Sequence, residues 1–469
     1  MQEILTYLFI GIYTISILGV VLVVITDNRN PLKTLPWIVV LLLAPVVGLV
    51  FYFFFGQNLS KRRIISRRTR KRIVMQLEAT EPDADIPARY RPLSQLLVNT
   101  LSAVPLYGSR IDIYTDGESK MEALLAAIAR ARHHIHIQYY ILSDDGTGRR
   151  LRDALVAKAR EGVEVRVLYD DVGCNGVKKA FFESMRREGI EVYAFLHVKF
   201  PLFTSKVNYR NHRKIAVIDG RTGFIGGMNI ADRYVRGTGW GTWRDTHFRI
   251  EGRGAAGLQV SFLSDWSATT RQRITGPAYF PPTERYTDDM LQIVPSGPFG
   301  KWRALLQADS YAISRARKRI WIQTPYFLPS DVLNTGLQVA ALAGIDVRLM
   351  LPARSDSKLV DLATHSYLDD MIKAGVKIAF YTPGFLHSKL LVVDDTLSVI
   401  GSANMDFRSF EHNFEINAFV YDREFTARMA AVFEDDLARC RLLTPGEWFN
   451  RPRSRRVAES FMRLFSPLL

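Results

Sequence analysis

The chain has 469 residues, with 62 Lys and Arg against 47 Asp and Glu and a net charge of +15. That length suits two or three domains and excludes a mini-protein or a disordered tail, while the charge asks for an anionic partner, nucleic acid or a phospholipid surface. Cys174 and Cys440 are the only cysteines, too few for a disulfide framework and wrongly spaced for a zinc site, which fits a reduced, cytoplasmic environment.

From the N-terminus, Ile4 to Ile25 carries no charge, and neither does Leu35 to Phe55. Each is close to the ~20 residues that cross a bilayer as a helix, so two spans are expected, about 4–25 and 35–55. Only Met1, Gln2 and Glu3 precede the first apolar run. A cleaved signal would carry a basic region there, so the span is expected to be retained. Pro36 falls at a helix start, whereas Pro45 should kink the second helix at its middle. Lys61, Arg62, Arg63, Arg67, Arg68, Arg70, Lys71 and Arg72 follow without an intervening acid, against Arg29 and Lys33 in the short loop between the spans. The positive-inside rule then places both termini, and everything after Gly56, on the cytoplasmic side, with the basic run beside anionic headgroups.

A connector runs to Pro105, and helices and strands alternate after it. Met121, Leu124, Leu125 and Ile128 share one helical face, and Ile135, Ile137, Tyr139 and Ile141 alternate as a strand. A helix around Leu151 and Leu155, a strand Val163–Tyr169, a helix Phe181–Arg187 and a strand Ile190–Phe195 continue the pattern, which reads as α/β layers. The pattern then repeats. Ile128–Gln138, IARARHHIHIQ, returns 185 residues later as ISRARKRIWIQ at Ile313–Gln323. The chain therefore contains a duplicated domain, and two like halves packed about a pseudo-two-fold axis would share one cleft.

A five-residue constellation is duplicated with them. His212, Lys214, Asp219, Gly226 and Asn229 recur with identical spacing as His387, Lys389, Asp394, Gly401 and Asn404. On a strand, His and Lys two apart share a face, and Ile215, Val217, Leu390 and Val392 bury the opposite one. Two His, two Lys and two Asn suit a phosphodiester, whose transition state spreads negative charge over oxygens that ammonium and amide donors stabilise. One imidazole can attack phosphorus while the other protonates the leaving oxygen and later takes the proton of the incoming group. Each imidazole needs its second nitrogen held; Asp245 in WRDTHFRI aligns with Glu415 in NFEINAFV, and these are the candidates. Asp219 and Asp394 complete the motif and are counted with its catalytic residues, although they suit bracing the turn around their own motif better than touching substrate.

These two elements resemble the paired HKD motifs of the phospholipase D superfamily, over the chain from about residue 106 onward. The N-terminal RNPLKTLPWIVVLLLAPVVGLVFYFFFGQN, with RNHRK at 210–214, YFLPSD at 326–331 and RSFEHNFEIN at 408–417, further resembles bacterial cardiolipin synthases. The resemblance implies a transmembrane hairpin (1–57), a basic connector (58–105) and two tandem phospholipase D-like α/β/α halves (106–285 and 286–469). It also implies phosphatidyl transfer between two phosphatidylglycerol molecules with release of glycerol, at the bacterial inner membrane, without metal, cofactor or nucleic acid. His212 becomes the nucleophile and His387 the acid and base, with Lys214, Lys389, Asn229 and Asn404 holding phosphate. Hydrolysis to phosphatidic acid, or transfer to another alcohol, uses the same motif. A nuclease or an inactive scaffold is disfavoured by the spans and the intact motifs. The oligomeric state stays open, a homo-oligomer included.

Some features fall outside the duplication. His133, His134 and His136 form an HxH cluster that could ligate metal, but Lys318, Arg319 and Trp321 replace them in the second half, which favours a structural role. Gln138 and Gln323 recur, either lining the cleft or bonding in the core. Gly237–Trp243, GTGWGTW, lacks a counterpart and suits a mobile lip that contacts substrate or lipid. Arg451, Arg453, Arg455 and Arg456 before FMRLFSPLL suit a basic amphipathic helix, on the membrane or docked on the body.

Overall fold

The computed structural model describes residues 2–26, 31–52, 67–77, 86–197, 208–299 and 301–469. The chain divides into two compact units, one holding the N-terminal helices and the other both repeated halves.

In the first unit, the helix Gln2–Thr26 contains a stretch, Gln2–Leu22, long and apolar enough to cross a membrane. The second expected span is broken into Pro31–Leu43 and Pro45–Phe51, and its apolar part, Thr34–Leu43, is shorter. Ala44 leaves helical geometry at φ −136°, ψ 68° because Pro45, without an N–H, starts the next helix at its first turn. Residues 53–55 of that span, and Lys61 to Arg63 of the basic run, lie outside the described residues.

The second unit is built on two sheets of matching topology. In the first half the strands lie side by side in the order Arg110–Tyr114, His247–Glu251, Thr222–Gly226, Ile215–Ile218, His134–Tyr139, Glu164–Asp170 and Glu191–Phe195. In the second the order is Met290–Ser296, Glu415–Tyr421, Leu397–Gly401, Leu390–Val393, Arg319–Gln323, Asp346–Pro352 and Lys377–Tyr381, with Leu106–Tyr107 and Cys440–Leu442 added at its edges. In both, the last two pairings are parallel and the first four antiparallel. Helices cover the outer faces; one of them, Gly117–Ala129, starts where the Asp116 carboxylate accepts from the Ser119 N–H.

The inner faces pack on each other. Ile215 and Val217 of one half share a single core with Leu390, Val392, Ile416 and Val420 of the other, while their neighbours Ala216 and Leu391 point into the separate outer cores. The period-2 alternation thus divides each strand between a core private to its half and a core that joins the halves.

Residues 86–105, expected as part of the connector, are instead built into the second half. Tyr90, Leu93 and Leu97 are buried in its outer core, and Leu106–Tyr107 pairs with Met290 and Leu291. An apolar face on the helix Arg91–Leu101 finds its partner there. The basic helix Arg67–Val74 is also tied down, with Ile73 buried against Leu168, Phe262 and Trp266. At the other end, the helix Arg453–Arg463 docks on Lys358–Lys373, and Glu459, paired with Arg451 and Arg455, is buried beneath it. Val457, Phe461, Leu464 and Leu468 stay exposed.

Candidate active site

The strands Ile215–Ile218 and Leu390–Val393 begin just after the lysines, so His212–Lys214 and His387–Lys389 are extended lead-ins rather than strand residues. The flanking ladders stop there: Gln138 is the last partner of Ile215, and Gln323 the last partner of Leu390. Each lead-in crosses to the other half. The His212 N–H donates to the Phe414 carbonyl at 2.9 Å, and the His387 N–H to the Arg244 carbonyl at 2.7 Å.

Phe414 and Arg244 immediately precede Glu415 and Asp245, and the side chains complete the exchange. His212 Nδ1 lies 3.0 and 3.1 Å from the two Glu415 oxygens, and His387 Nδ1 lies 2.5 Å from Asp245 Oδ2. Gly226 faces His247 and Gly401 faces Asn417 in the two ladders, so Asp245 and Glu415 occupy equivalent positions. The alignment of the two carboxylates therefore holds, but each serves the histidine of the opposite half. A carboxylate only accepts, so Nδ1 of each imidazole carries the proton and Nε2 keeps its lone pair.

Both carboxylates are fully buried. Burial pushes them up, and the neighbouring cations more than reverse it, so both are held below the ordinary carboxylate range: Asp245 by Lys389 and His387, Glu415 by His212 and Lys214. Burial lowers both imidazoles, that of His387 to about 3 with Lys389 adding to the effect. Burial also brings Lys214 down to about 7 and Lys389 to about 8. Each lysine donates to the carbonyl of its own motif's histidine, Lys214 at 2.6 Å. Neither lies on the cleft wall.

The carboxylates have further partners. Glu415 accepts from Ser402 Oγ and, at 3.0 Å, from Asn413 Nδ2. At the position equivalent to Ser402, a Cβ on Gly227 would come 2.0 Å from Asp245 Oδ1, so only glycine fits beside that carboxylate. The segment around His212 is clamped as well: Asn211 N–H donates to Asp170 at 2.8 Å, and Arg213 pairs with Asp265 and donates to the Ser296 and Glu415 carbonyls. Asp265 recurs as Asp436 in the second half. Gln138 donates to the first at 2.6 Å and Gln323 to the second at 2.9 Å, so the repeated glutamines bond in the core and not in the cleft.

His212, His387, Asn229 and Asn404 line one cleft of about 910 Å³. Asn229 donates to the Tyr234 hydroxyl at 2.6 Å, and Asn404 to Asp406 at 3.1 Å. Asp219 and Asp394 are not part of it. Both adopt positive φ, 53° and 52°, in the turn that follows each motif strand. Asp219 accepts from the N–H groups of Arg132, His133 and His134, and Asp394 from those of Arg317, Lys318 and Arg319. Each pins the start of the strand beside its own hairpin, and Arg89 adds an ion pair to Asp394 at 2.9 Å.

Among the described residues no group of three or more His, Cys, Asp or Glu is placed to hold a metal. His134 and His136 are buried, His136 against Gln259 and stacked on Phe262. The stretch 237–243 is not a free lip: Thr242–Arg244 pairs in parallel with Gly384–Leu386, and Trp240 and Trp243 line the cleft. The crossed carboxylates and the roles of Ser402, Asn413 and Gly227 had no signal in one sequence beyond alignment of the two halves.

With this geometry in hand, the similarities are specific. The family described as "Cardiolipin synthase, PLD-like domain" matches twice, at 124–245 and 311–437, and "Phospholipase_D-nuclease N-terminal" matches 14–57. The chain is 40% identical over 466 residues to cardiolipin synthase 2 of Bacillus cereus, covering 97% of this chain and 91% of that protein. To the major cardiolipin synthase ClsA of Bacillus subtilis it is 38% identical over 471 residues, covering 97% and 98%. Among solved structures, phosphatidylserine synthase of Haemophilus influenzae shares the fold with a TM-score of 0.61 at 16% identity, over 81% of this chain and 98% of that one.

Proposed function

This chain belongs to the cardiolipin synthase family of the phospholipase D superfamily, and from that premise we propose a membrane enzyme that moves a phosphatidyl group from one phosphatidylglycerol to another. The observation that carries the reading is the pair of imidazoles on one cleft, each oriented by a buried carboxylate of the opposite half.

His212 Nε2 attacks phosphorus, the phosphorus–glycerol oxygen bond breaks, and His387 delivers its proton to the leaving oxygen. A hydroxyl of a second phosphatidylglycerol then gives its proton to His387 and attacks phosphorus, the N–P bond breaks, and cardiolipin leaves. Lys214, Lys389, Asn229 and Asn404 stabilise the charge on the non-bridging oxygens. His387 must be protonated for the first step. Burial beside Lys389 opposes that, whereas Asp245 and the anionic phosphodiester favour it.

In this reading residues 1–57 form a two-span hairpin with cytoplasmic termini, which the basic run after Gly56 supports. The linker from 58 leads to halves 106–285 and 286–469, related by a pseudo-two-fold axis, with residues 86–107 packed into the second. Matching strand orders and reciprocal His–carboxylate pairs support that axis.

The test incubates the purified chain with phosphatidylglycerol as sole lipid in mixed micelles without added metal. Cardiolipin with equimolar glycerol is expected; phosphatidic acid alone would replace transfer by hydrolysis. A pH dependence follows from the lysines. With Lys214 at about 7 and Lys389 at about 8, raising the pH through this range removes positive charge from the empty site. The anionic substrate then binds less well. His387, held to about 3 by burial and Lys389 yet needed protonated in the first step, adds a decline in the same direction. Thus kcat/KM measured from pH 6 to 9.5 should fall above about pH 8; a profile that rises there would contradict these roles.

A further inference from the structure

Sixteen positions separate Asn229 from Asp245, but eleven separate Asn404 from Glu415, and the extra length in the first half carries Trp240 and Trp243. Both indoles are fixed by a close backbone approach between the halves: a Cβ on Gly384 would meet the Thr242 carbonyl oxygen at 2.1 Å, and Gly241 takes φ +144° against the Pro383 carbonyl. Trp243 is thereby held 5.2 Å from the His387 ring, centroid to centroid, and Trp240 5.8 Å from Phe385.

Each indole carries a guanidinium. Arg233 lies over Trp243 at 5.6 Å, and Arg354, from the second half, over Trp240 at 4.9 Å. Both are exposed on the cleft wall, and among the described residues neither has a carboxylate partner. Asp356, on the same wall, is engaged by the Tyr326 hydroxyl at 2.8 Å. An arginine resting on an aromatic face is restricted in its motion and presents a planar fork of donors, which suits two-point binding of a phosphate; Arg233 spends part of its fork on the Tyr234 hydroxyl.

We propose that Arg233 and Arg354 form a binding site for the phosphodiester of the acceptor lipid, and so determine which alcohol resolves the covalent intermediate. This rests on the transfer reaction above. There His387 takes the proton of the incoming hydroxyl, so the acceptor approaches on the side where Trp243 stands. Phosphatidylglycerol carries its own phosphodiester three carbons from the hydroxyl it uses. Water, glycerol and ethanolamine carry none. A second anion site beside the acid-base histidine therefore distinguishes the lipid acceptor from the alternatives that the HKD motif cannot tell apart.

The test is a competition on the full-length chain, with phosphatidylglycerol as donor and both phosphatidylglycerol and isotopically labelled glycerol as acceptors. Each turnover yields either cardiolipin or labelled phosphatidylglycerol, and the readout is their ratio, which does not depend on how much active protein is present. In the double variant Arg233→Gln, Arg354→Gln the ratio should fall at least about tenfold, the effect of losing charge-assisted hydrogen bonds to one phosphate. Arg233→Lys with Arg354→Lys should recover part of it, since the charge is kept and the fork lost. An unchanged ratio, or equal loss of both products, overturns the site. If the unaltered chain gives labelled phosphatidylglycerol but no cardiolipin, the synthase reading itself fails, a result visible without any variant.

Discussion

With His212 replaced by alanine, cardiolipin formation and glycerol release should both fall by about 10⁴-fold or more, because no group remains to form the N–P bond. His387→Ala should slow natural turnover by a similar order, for a different reason: glycerol would have to leave as an alkoxide. A donor with a good leaving group, such as a phosphatidyl nitrophenol ester, removes that requirement. In His387→Ala it should still react once, release nitrophenol and stop, since nothing then takes the proton of the acceptor. The phosphatidyl adduct should be found on His212 by peptide mass spectrometry. The order of events follows the family resemblance, since both imidazoles direct Nδ1 at a buried carboxylate and line the cleft; the position of the adduct decides between them. An adduct on His387 in the His212→Ala variant would reverse the roles.

The constellation itself was fully legible, because chemistry fixed its spacing twice within one chain and each copy checks the other. Alignment of the halves also identified Asp245 and Glu415, since both stand at the same place in equivalent strands. Their crossing was not legible. Whether a carboxylate meets the imidazole of its own half depends on how the two inner faces pack, and Ile215, Val217, Leu390 and Val392 show the same alternation in either case. The strand boundary at His212 failed for a related reason: alternation continues through Lys214, but the ladders on both sides end at Ile215. Tyr90, Leu93 and Leu97 lay in a stretch read as a connector because their partners, such as Tyr421 and Val393, lie some 300 residues away. The aspartates of the two motifs gave the opposite lesson. Asp219 and Asp394 share the motif because a turn at positive φ needs a small side chain that can accept several N–H groups, not because they reach the cleft.

The crossed pairing makes the second large prediction. Glu415→Gln should lower turnover roughly 10³- to 10⁴-fold, as removal of the orienting carboxylate does in other histidine-dependent enzymes. Glu415 now accepts from His212, Ser402 and Asn413 together. An amide offers one oxygen and one NH₂, so it must turn a donor toward one of these partners. If the NH₂ faces His212, it bonds to an unprotonated Nδ1, moves the proton to Nε2 and removes the attacking lone pair. If the NH₂ faces away from His212, it meets the Asn413 NH₂ donor, or forces the Ser402 hydroxyl to turn from donor to acceptor. Either way the positive charge that develops on the phosphorylated imidazole loses its counter-ion. Asp245→Asn acts instead on His387, in a site where Oδ1 accepts from the Thr246 N–H and Oδ2 faces His387 Nδ1, so the carboxamide must turn its NH₂ toward one of two donors. The nitrophenol donor separates the two. Adduct formation should be lost in Glu415→Gln and kept in Asp245→Asn, although Glu415 and its histidine come from different halves. The reverse pattern would mean that each carboxylate serves the histidine of its own half.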